Sequence, residues 1–242
     1  MEAQGSVSVV IPAFNEAERL GPTLHAILHW ARAALVEYEL IVVDDGSTDN
    51  TAGVAAGFGP PVRLVRNDRN RGKGWSVRHG VAESRCASIL FTDADLSTPI
   101  EEYGKLAQAL ERAEVVIGSR GLADSNIERH QPWYRETMGK AFNRIVRALV
   151  VPGIHDTQCG FKLFRGAVAR ELFAELTIPG FAFDVEVLYL ARRRGYRVAE
   201  VPVTWVNDER TRVHAVLDSS RMLRDVLRIR LNHAGRAPGR SE

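Results

Sequence analysis

Acidic residues directly follow two short apolar segments in the first half of the chain. Asp44 and Asp45 come after ELIVV, and Asp93 and Asp95 come after SILFT. Carboxylates separated by one residue can hold a hard divalent cation, and such a cation neutralises a bound diphosphate. Aspartate pairs are also common in solvated loops. The place of Asp93 and Asp95 at the end of an apolar segment is what favours a metal site there.

A glycine-rich segment, Asn70–Gly74, lies between an apolar segment and a helical pattern. Glycine allows the backbone to approach a ligand closely, and the start of the following helix offers free N–H groups to an anion. The segment lacks the spacing of a P-loop, which argues against an ATPase. It is typical of an anion-binding loop, and a plain surface turn is the alternative.

Short β-branched segments alternate with helical patterns through the first half of the chain. This alternation predicts an α/β fold, with a mostly parallel central sheet and helices on both faces. Ligands of such sheets bind beyond the carboxyl ends of the strands, which is where the aspartates and Arg120 fall. The predicted strands are Ser6–Pro12, Glu39–Asp45, Val62–Asn67, Ser88–Asp95 and Glu114–Arg120, and the predicted helices are Glu16–Glu37, Thr48–Phe58 (with Ser47 as N-cap), Gly74–Ser84 and Pro99–Arg112.

The second half of the chain is less regular. Its patterns predict a helix over Trp133–Val151, a loop over Pro152–Phe161, a helix over Phe183–Arg194, a strand over Arg197–Val206 and a closing helix over Val213–Leu231. Pro202 predicts that the last strand lies at a sheet edge or is bulged, because proline donates no ladder hydrogen bond. We expect one globular domain over residues 1–212 and a basic amphipathic helix and tail over residues 213–242.

Composition excludes several classes of protein. The 242 residues are 45% hydrophobic and carry 32 basic against 30 acidic side chains, a balance that gives no reason to expect a nucleic-acid partner. Cys86 and Cys159 are too few for a disulfide framework or a cysteine-built metal site. No apolar run approaches the ~18 residues that span a bilayer, and the N-terminus lacks a signal-peptide pattern. We expect a cytoplasmic protein, soluble or peripheral at the cytoplasmic face of the membrane.

The C-terminal segment combines apolar residues at helical spacing with arginines on other faces. One interpretation is a peripheral membrane helix whose arginines meet anionic headgroups. The other is an amphipathic helix that packs on the sheet or on a second subunit of a homodimer. The apolar residues are Val213, Val216, Leu217, Leu223, Val226, Leu227 and Leu231, and the arginines are Arg221, Arg224, Arg228 and Arg230.

Five motifs occur in order at successive strand ends: VVIPAFNEAERL, VVDDGSTDNT, NRGKG, FTDADLSTP and GSR. Together they resemble family 2 glycosyltransferases of the GT-A fold, which are inverting enzymes that use nucleotide-activated sugars. The later segments DTQCGFKLF (Asp156–Phe164) and GFAFDVEVLYLA (Gly180–Ala191) are similar to the branch that glycosylates polyprenyl phosphates, the dolichyl-phosphate glucosyltransferase and dolichol-phosphate mannose synthase group. The resemblance covers about residues 6–206.

The resemblance implies a donor site for a nucleotide-diphosphate sugar, UDP-glucose or GDP-mannose, with Mg²⁺ or Mn²⁺ as cofactor. Ser97 occupies the place of a further polar ligand in the synthases, although its hydroxyl is short. The base and ribose would bind to Pro12, Phe14, Asn15 and Glu16 above Asp44 and Asp45; Gly72 and Lys73 would close over the nucleotide; Asp93 and Asp95, with Ala94 between them, would form the metal motif.

The resemblance also implies an acceptor site. Arg120 and Arg135 match basic residues that handle phosphate groups, whereas Gly139 stands where the family often has serine. A lipid monophosphate is largely ionised at neutral pH, since its second pKa is about 6, and it needs no general base. An acceptor hydroxyl would need one, and Asp156 and Asp184 are the candidates. We expect transfer to a polyprenyl phosphate. The alternatives are transfer to a soluble or secondary-metabolite hydroxyl, and a non-catalytic nucleotide-sugar-binding protein.

Overall fold

The computed structural model describes residues 4–129, 143–144, 146–147, 150–206 and 215–234. Within these ranges the strands are β1 (Gln4–Ala13), β2 (Leu35–Asp44), β3 (Val62–Arg66), β4 (Ser88–Thr92), β5 (Val115–Ser119), β6 (Asn126–Arg129), β7 (Phe161–Arg165), β8 (Val198–Pro202) and β9 (Thr204–Val206). The helices are α1 (Ala17–Ala34), α2 (Thr51–Ala56), α3 (Lys73–Glu83), α4 (Tyr103–Leu110, after a 3₁₀ turn at Ile100–Glu102), α5 (Gly166–Ala174), α6 (Phe183–Arg193) and α7 (Ala215–His233).

Seven strands form the central sheet in the order β3-β2-β1-β4-β7-β5-β8. Neighbouring strands are parallel except at β7, which runs antiparallel to β4 and β5. The predicted α/β fold with a mostly parallel central sheet is therefore confirmed. Because β7 is reversed, the loop that precedes it reaches the same side of the sheet as the loops that follow β4 and β5.

Alternate residues of the central strands enter two hydrophobic clusters, one on each face of the sheet. On one face Val9, Ile11 and Val42 pack with buried residues of α1 and α4. On the other face Val10 and Ile41 pack with α3, α5, α6 and α7. Strands that are buried on both faces read as continuous apolar runs, which is why the sequence identifies them.

Strand β7 is absent from the sequence predictions, because Lys162 interrupts the apolar run FKLFR. The strand nevertheless lies inside the sheet, and Lys162 is fully buried there. Its ammonium group donates to the carboxylate of Asp184 in α6 and to the carbonyl oxygen of Cys159 (2.6 Å). A buried charge is tolerated when it is paired and hydrogen-bonded. The partner lies in another element, so strand patterning does not show it.

Two predicted boundaries in the first half are wrong. Helix α1 ends at Ala34 rather than Glu37, because Leu35 begins β2 and already pairs with β1. Ser47 does not cap α2, which begins at Thr51. The Ser47 hydroxyl accepts a hydrogen bond from the loop after β1 instead, so a residue with high capping propensity is used to join two loops.

The predicted strand Arg197–Val206 is two strands. β8 ends at Pro202 and forms one edge of the central sheet, as the proline predicts. β9 leaves that sheet and pairs with β6 in a separate two-stranded sheet. Of the predicted helix Trp133–Val151, residues 143–144 and 146–147 are helical, and most of the remainder lies outside the described residues.

The C-terminal helix α7 packs against the body of the chain through one face. Val226 and Ile229 are fully buried in the core beside α6. Of the predicted apolar residues, Leu227 and Leu231 remain 52% and 75% exposed, so packing on the body of the chain does not account for all of them. Among the helices that the structure describes, α7 included, none is both long and apolar enough to cross a membrane.

Candidate active site

The loop after β1 is tied to the loop after β2. Asn15 has a positive φ of 55°; its N–H donates to Ser47 Oγ (2.8 Å), and its Oδ1 accepts from the Thr48 N–H (2.8 Å). The Glu16 N–H donates to Thr51 Oγ1 (2.7 Å). Asparagine tolerates the left-handed backbone region better than most residues, and here its side chain also caps the facing loop. Asn15 and Glu16 therefore give this part of the predicted nucleotide site its shape.

An exposed aromatic ring and a buried carboxylate accompany these loops. Phe14 is 37% exposed, whereas Pro12 is half-buried. An exposed ring of this kind offers a stacking face to a base. Asp44 is fully buried and accepts hydrogen bonds from the Ser47 N–H (3.1 Å) and from Arg66 Nε (3.1 Å). The first aspartate of the pair is thus committed to contacts within the chain.

Asp45 folds the glycine-rich segment onto the end of β2. Its Oδ1 accepts from Asn67 Nδ2 (2.7 Å) and from the Arg71 N–H (2.9 Å), and its Oδ2 accepts from the Gly72 N–H (2.8 Å). The carboxylate is almost fully buried. Asp45 therefore organises the backbone that precedes Lys73. It can do so because it lies at the end of β2, next to this segment.

Two glycines bring this segment against the loop before α6. Gly72 has a φ of 101°, and a Cβ there would lie 2.5 Å from the carbonyl oxygen of Pro179. A Cβ on Gly74 would lie 2.6 Å from Phe183 Cβ. Neither position has room for a side chain, so the close approach of the two loops requires glycine. The contact places Lys73 at the first residue of α3, facing β4.

Lys73 and Asp93 form an ion pair across the site, with Nζ 2.6 Å from Oδ1. Burial would lower the pKa of Lys73, but three nearby carboxylates, led by that of Asp93, outweigh burial and raise this pKa. A Cβ on Gly160 would overlap the Asp93 carboxylate, so the absence of a side chain at Gly160 provides the space that this carboxylate occupies. The loop before β7 is therefore shaped around the predicted metal ligand.

The second predicted metal ligand, Asp95, is close by. Its Oδ1 accepts from the Ser97 N–H (3.0 Å), and burial together with the Asp93 charge raises its pKa. Between the two aspartates, Ala94 is buried and its carbonyl oxygen accepts from Thr23 Oγ1 (2.7 Å). Asp93 and Asp95 are hard oxygen ligands of the type that Mg²⁺ and Mn²⁺ prefer.

The donor set fits a cation that shares its coordination with a substrate. Within the part of the chain that the structure describes, no three His, Cys, Asp or Glu side chains are grouped so as to hold a metal by themselves. Mg²⁺ commonly takes one or two protein carboxylates and completes its shell with water and substrate phosphate oxygens. A pair of aspartates is therefore suited to a cation that arrives with a diphosphate.

Arg120 and Asp156 form a bidentate pair after β5. Arg120 donates from Nε to Oδ2 (2.6 Å) and from Nη2 to Oδ1 (2.9 Å), and its backbone N–H also donates to Oδ2 (3.0 Å). Burial opposes the charge of Asp156, but the guanidinium outweighs it and lowers the pKa of the carboxyl to about 2. Asp156 is therefore fully ionised and fully engaged.

Two residues that sequence analysis did not single out support this pair. Glu200 of β8 accepts from the Asp156 N–H (3.0 Å) and from the His155 N–H (2.8 Å), and its Oε2 lies 2.8 Å from His155 Nδ1. The ring of Trp205 lies 5.4 Å from Arg120 Cζ. The one signal for Glu200 is an acidic residue inside the edge strand VAEVP.

The residues predicted for the donor and those predicted for the acceptor belong to one electrostatic cluster. Asp184, in the first turn of α6, is buried, and burial raises its pKa although Lys162 opposes this. The charges of Asp184 and Asp93 act on Lys73, and the charge of Asp93 also acts on Arg120. The structure thus brings together the predicted residues after β2, β4 and β5. Arg135 and Gly139 lie outside the described residues.

A mostly parallel α/β sheet that carries these carboxylates, a lysine and a glycine-rich loop at one edge is the arrangement that the resemblance to nucleotide-sugar glycosyltransferases of the GT-A fold implies. The family described as "Glycosyl transferase family 2" matches residues 8–173. The chain therefore belongs to glycosyl transferase family 2 and is a glycosyltransferase, as the motifs predict.

Two named relatives and a solved structure agree with this assignment. The chain is 35% identical over 243 residues to the dolichyl-phosphate beta-glucosyltransferase of Dictyostelium discoideum, covering 94% of this chain and 74% of the relative. It is 36% identical over 244 residues to that of Mus musculus, covering 94% and 75%. Glucosyl-3-phosphoglycerate synthase from Mycobacterium tuberculosis, crystallised with Mn²⁺, UDP and phosphoglyceric acid, has the same fold, with a TM-score of 0.69 at 23% identity over 97% of this chain and 80% of that one.

Proposed function

We propose that the protein transfers a hexose with inversion from a nucleotide-diphosphate sugar to a polyprenyl phosphate, with Mg²⁺ or Mn²⁺ as cofactor. The observation that carries this proposal is the carboxylate pair Asp93 and Asp95 beside Lys73. The names of the two relatives support glucose as the sugar and a polyprenyl phosphate as the acceptor. UDP-glucose is therefore the donor that we favour over GDP-mannose.

At the donor site, Asp93 and Asp95 would hold the cation and Lys73 would contact the diphosphate. When bound, the cation neutralises the diphosphate as it leaves the sugar. In the chain as it stands, the Lys73 ammonium occupies one oxygen of Asp93. Entry of a diphosphate would give that ammonium a phosphate partner and release the carboxylate for the cation. Asp45 would keep the loop in place during this exchange, because its contacts to that loop are to backbone N–H groups.

At the acceptor site, the lipid phosphate would supply its own nucleophile. A phosphate monoester oxygen is ionised at neutral pH, so catalysis needs alignment and charge stabilisation in place of a general base. Asp156 is suited to holding Arg120, because both of its oxygens accept from that arginine and its pKa is about 2. The pair uses one side of the guanidinium, and the other side suits a phosphate. Arg135 remains a prediction for the same phosphate.

A lipid acceptor requires the enzyme to reach a membrane surface. We propose that the exposed face of α7 makes this contact at the cytoplasmic face of the membrane. Leu227 and Leu231 are exposed one helical turn apart, and Arg224 and Arg228 are exposed beside them. Apolar side chains of this kind enter the headgroup boundary while arginines meet anionic headgroups.

A transfer assay tests the proposed function. The purified chain is incubated with labelled UDP-glucose or GDP-mannose, Mn²⁺ or Mg²⁺, and a short-chain polyprenyl phosphate, and the label in the organic phase is measured. We expect label from UDP-glucose that depends on metal and on Asp95. Donor hydrolysis without organic-phase label would instead support a hydroxyl acceptor and make Asp184 and Asp156 the residues to change. Absence of both transfer and donor binding would contradict the proposal.

A further inference from the structure

A short segment, Leu176–Gly180, lies between the glycine-rich donor loop and α6. The Trp75 N–H donates to the Pro179 carbonyl oxygen (3.1 Å), and Arg78 Nη1 donates to the Leu176 carbonyl oxygen (3.1 Å). The same Pro179 oxygen limits the space at Gly72. Any displacement of this segment would therefore move the backbone on either side of Lys73.

The other side of this segment is held by a buried carboxylate. Glu186, in α6, accepts from the Thr177 N–H (3.0 Å), from Thr177 Oγ1 (2.6 Å) and from the Ile178 N–H (2.9 Å). Glu186 is fully buried, so these bonds are made in a low-dielectric setting and are of the charge-assisted kind. The segment is consequently fixed at two consecutive backbone N–H groups.

The same carboxylate is bound by the C-terminal helix. His233 of α7 is buried, and its Nε2 lies 2.8 Å from Glu186 Oε1, so Nε2 carries the proton and donates. The neighbouring Asn232 donates from Nδ2 to Thr177 Oγ1 (2.8 Å). The Nδ1 atom of His233 has no hydrogen-bond partner among the described residues. The hydrogen bond that the ring makes with these residues is therefore the one from Nε2 to Glu186.

We propose that His233 and Glu186 are positioning residues for the nucleotide-sugar donor, and that the hydrogen bond between them, rather than the apolar packing of α7, sets the place of the donor loop. This inference rests on the proposed function. The path runs from His233 to Glu186, then to the N–H groups of Leu176–Gly180, and from Pro179 to Gly72 and Lys73. Neither residue touches the substrate; both act through the segment that the donor loop packs against. Loss of this hydrogen bond would loosen the segment and raise the KM for the donor, with the KM for the polyprenyl phosphate left unchanged.

Substitution of His233 tests this relay. His233→Leu removes the N–H donor, whereas His233→Gln retains one. Ile229→Ala is the matched control, because Ile229 is buried on the same helix but makes no polar contact with the segment. Thermal unfolding, the KM for UDP-glucose and the KM for the polyprenyl phosphate are measured for each. We expect His233→Leu to raise the donor KM roughly tenfold, which is the low end of the effect of losing a hydrogen bond to a charged group.

The control variants separate positioning from plain stability. We expect His233→Gln to restore the donor KM to within about threefold of wild type, and Ile229→Ala to lower the melting temperature while leaving the donor KM unchanged. An unchanged donor KM in His233→Leu, or an equal rise in Ile229→Ala, would overturn the proposal. If His233→Leu does not fold, Asn232→Ala gives a second test, because Asn232 is exposed and also contacts the segment. We expect Asn232→Ala to raise the donor KM, and an unchanged donor KM in this variant would count against the relay.

Failure of this inference is distinguishable from failure of the proposed function. Calorimetric binding of UDP-glucose with Mn²⁺ reports the donor site without any acceptor. If the wild type binds UDP-glucose but transfers nothing to a polyprenyl phosphate, the acceptor assignment fails, and the His233 variants still test the relay through donor affinity. If the wild type transfers glucose and the variants keep wild-type donor affinity, the relay alone fails.

Discussion

The edge proposed to bind the donor (Lys73, Asp93 and Asp95; the donor edge) and the edge proposed to bind the acceptor (Arg120 and Asp156; the acceptor edge) each pair a cation with an aspartate, but the fold uses the two pairs differently. Asp93 makes one ion-pair contact among the described residues and keeps 33% of its side chain exposed. The Asp156 side chain is 3% exposed, and both of its oxygens accept from Arg120. A carboxylate whose oxygens can still accept further hydrogen bonds can exchange its partner, whereas one whose oxygens are both engaged fixes the position of its partner. The donor edge is therefore suited to exchange and the acceptor edge to rigidity.

The largest expected effect is at the donor edge. Asp95→Asn should reduce transfer at least about 100-fold, because metal stabilisation of a leaving diphosphate is worth several kcal/mol. The free energy of unfolding should change little, since the amide oxygen of the new asparagine can still accept from the Ser97 N–H. Asp68→Asn, at an exposed aspartate paired with Arg71, is the control and should retain turnover within about twofold. Wild-type turnover of Asp95→Asn in metal-containing buffer would remove the metal role assigned to this residue.

At the acceptor edge we expect stability to change along with activity. Asp156→Asn should lower the free energy of unfolding by about 3 kcal/mol, because removal of one partner leaves the other charge buried without compensation. The low end of the usual range applies, since Arg120 keeps 28% of its side chain exposed. Urea denaturation measures this change. Arg197→Gln, which breaks an exposed ion pair, should leave the urea midpoint almost unchanged.

The pH dependence of the same variant sharpens the comparison. The pKa of Asp156 is about 2 in the folded chain and near 3.9 when unfolded, so the unfolded state binds more protons between these values. The stabilisation from this carboxylate is therefore complete above about pH 5 and is lost as the pH falls towards 2. The difference in stability between wild type and Asp156→Asn should narrow over that range. A difference that stays constant would show that the pair contributes through shape alone.

The predictability of the two edges also differs, for a physical reason. Asp44, Asp45, Asp93 and Asp95 follow strands that are buried on both faces, and such strands are visible as apolar runs. The place of these aspartates at the carboxyl edge then follows from parallel topology. Local patterns are therefore enough to predict the fold and to place these aspartates at one edge of the sheet, though not the hydrogen bonds by which Asp45 shapes the glycine-rich segment; the role of Lys73 rests on the resemblance to the family.

Partners from distant elements explain what sequence analysis missed. Lys162 is accommodated in a central strand by its contacts with Asp184 and the Cys159 carbonyl oxygen, and Glu200 contributes by accepting from backbone N–H groups of a loop 44 and 45 residues earlier. His233 is buried in a helix whose apolar spacing predicts other inward positions. A single sequence without structure records none of these pairings, because they depend on which elements become neighbours.

The smallest expected effect concerns His155, which is beside the acceptor edge. Its imidazole is 44% exposed. Glu200 already accepts from the His155 and Asp156 backbone N–H groups, so the contact between the imidazole and Glu200 adds little to the hold on this loop. His155→Ala should change kcat by less than about twofold and the free energy of unfolding by less than about 0.5 kcal/mol. Glu200→Ala should cost more, because it leaves both N–H groups without that acceptor. If His155→Ala were as damaging as Asp156→Asn, the rigidity of the acceptor edge would depend on the imidazole and not on the backbone contacts that Glu200 provides.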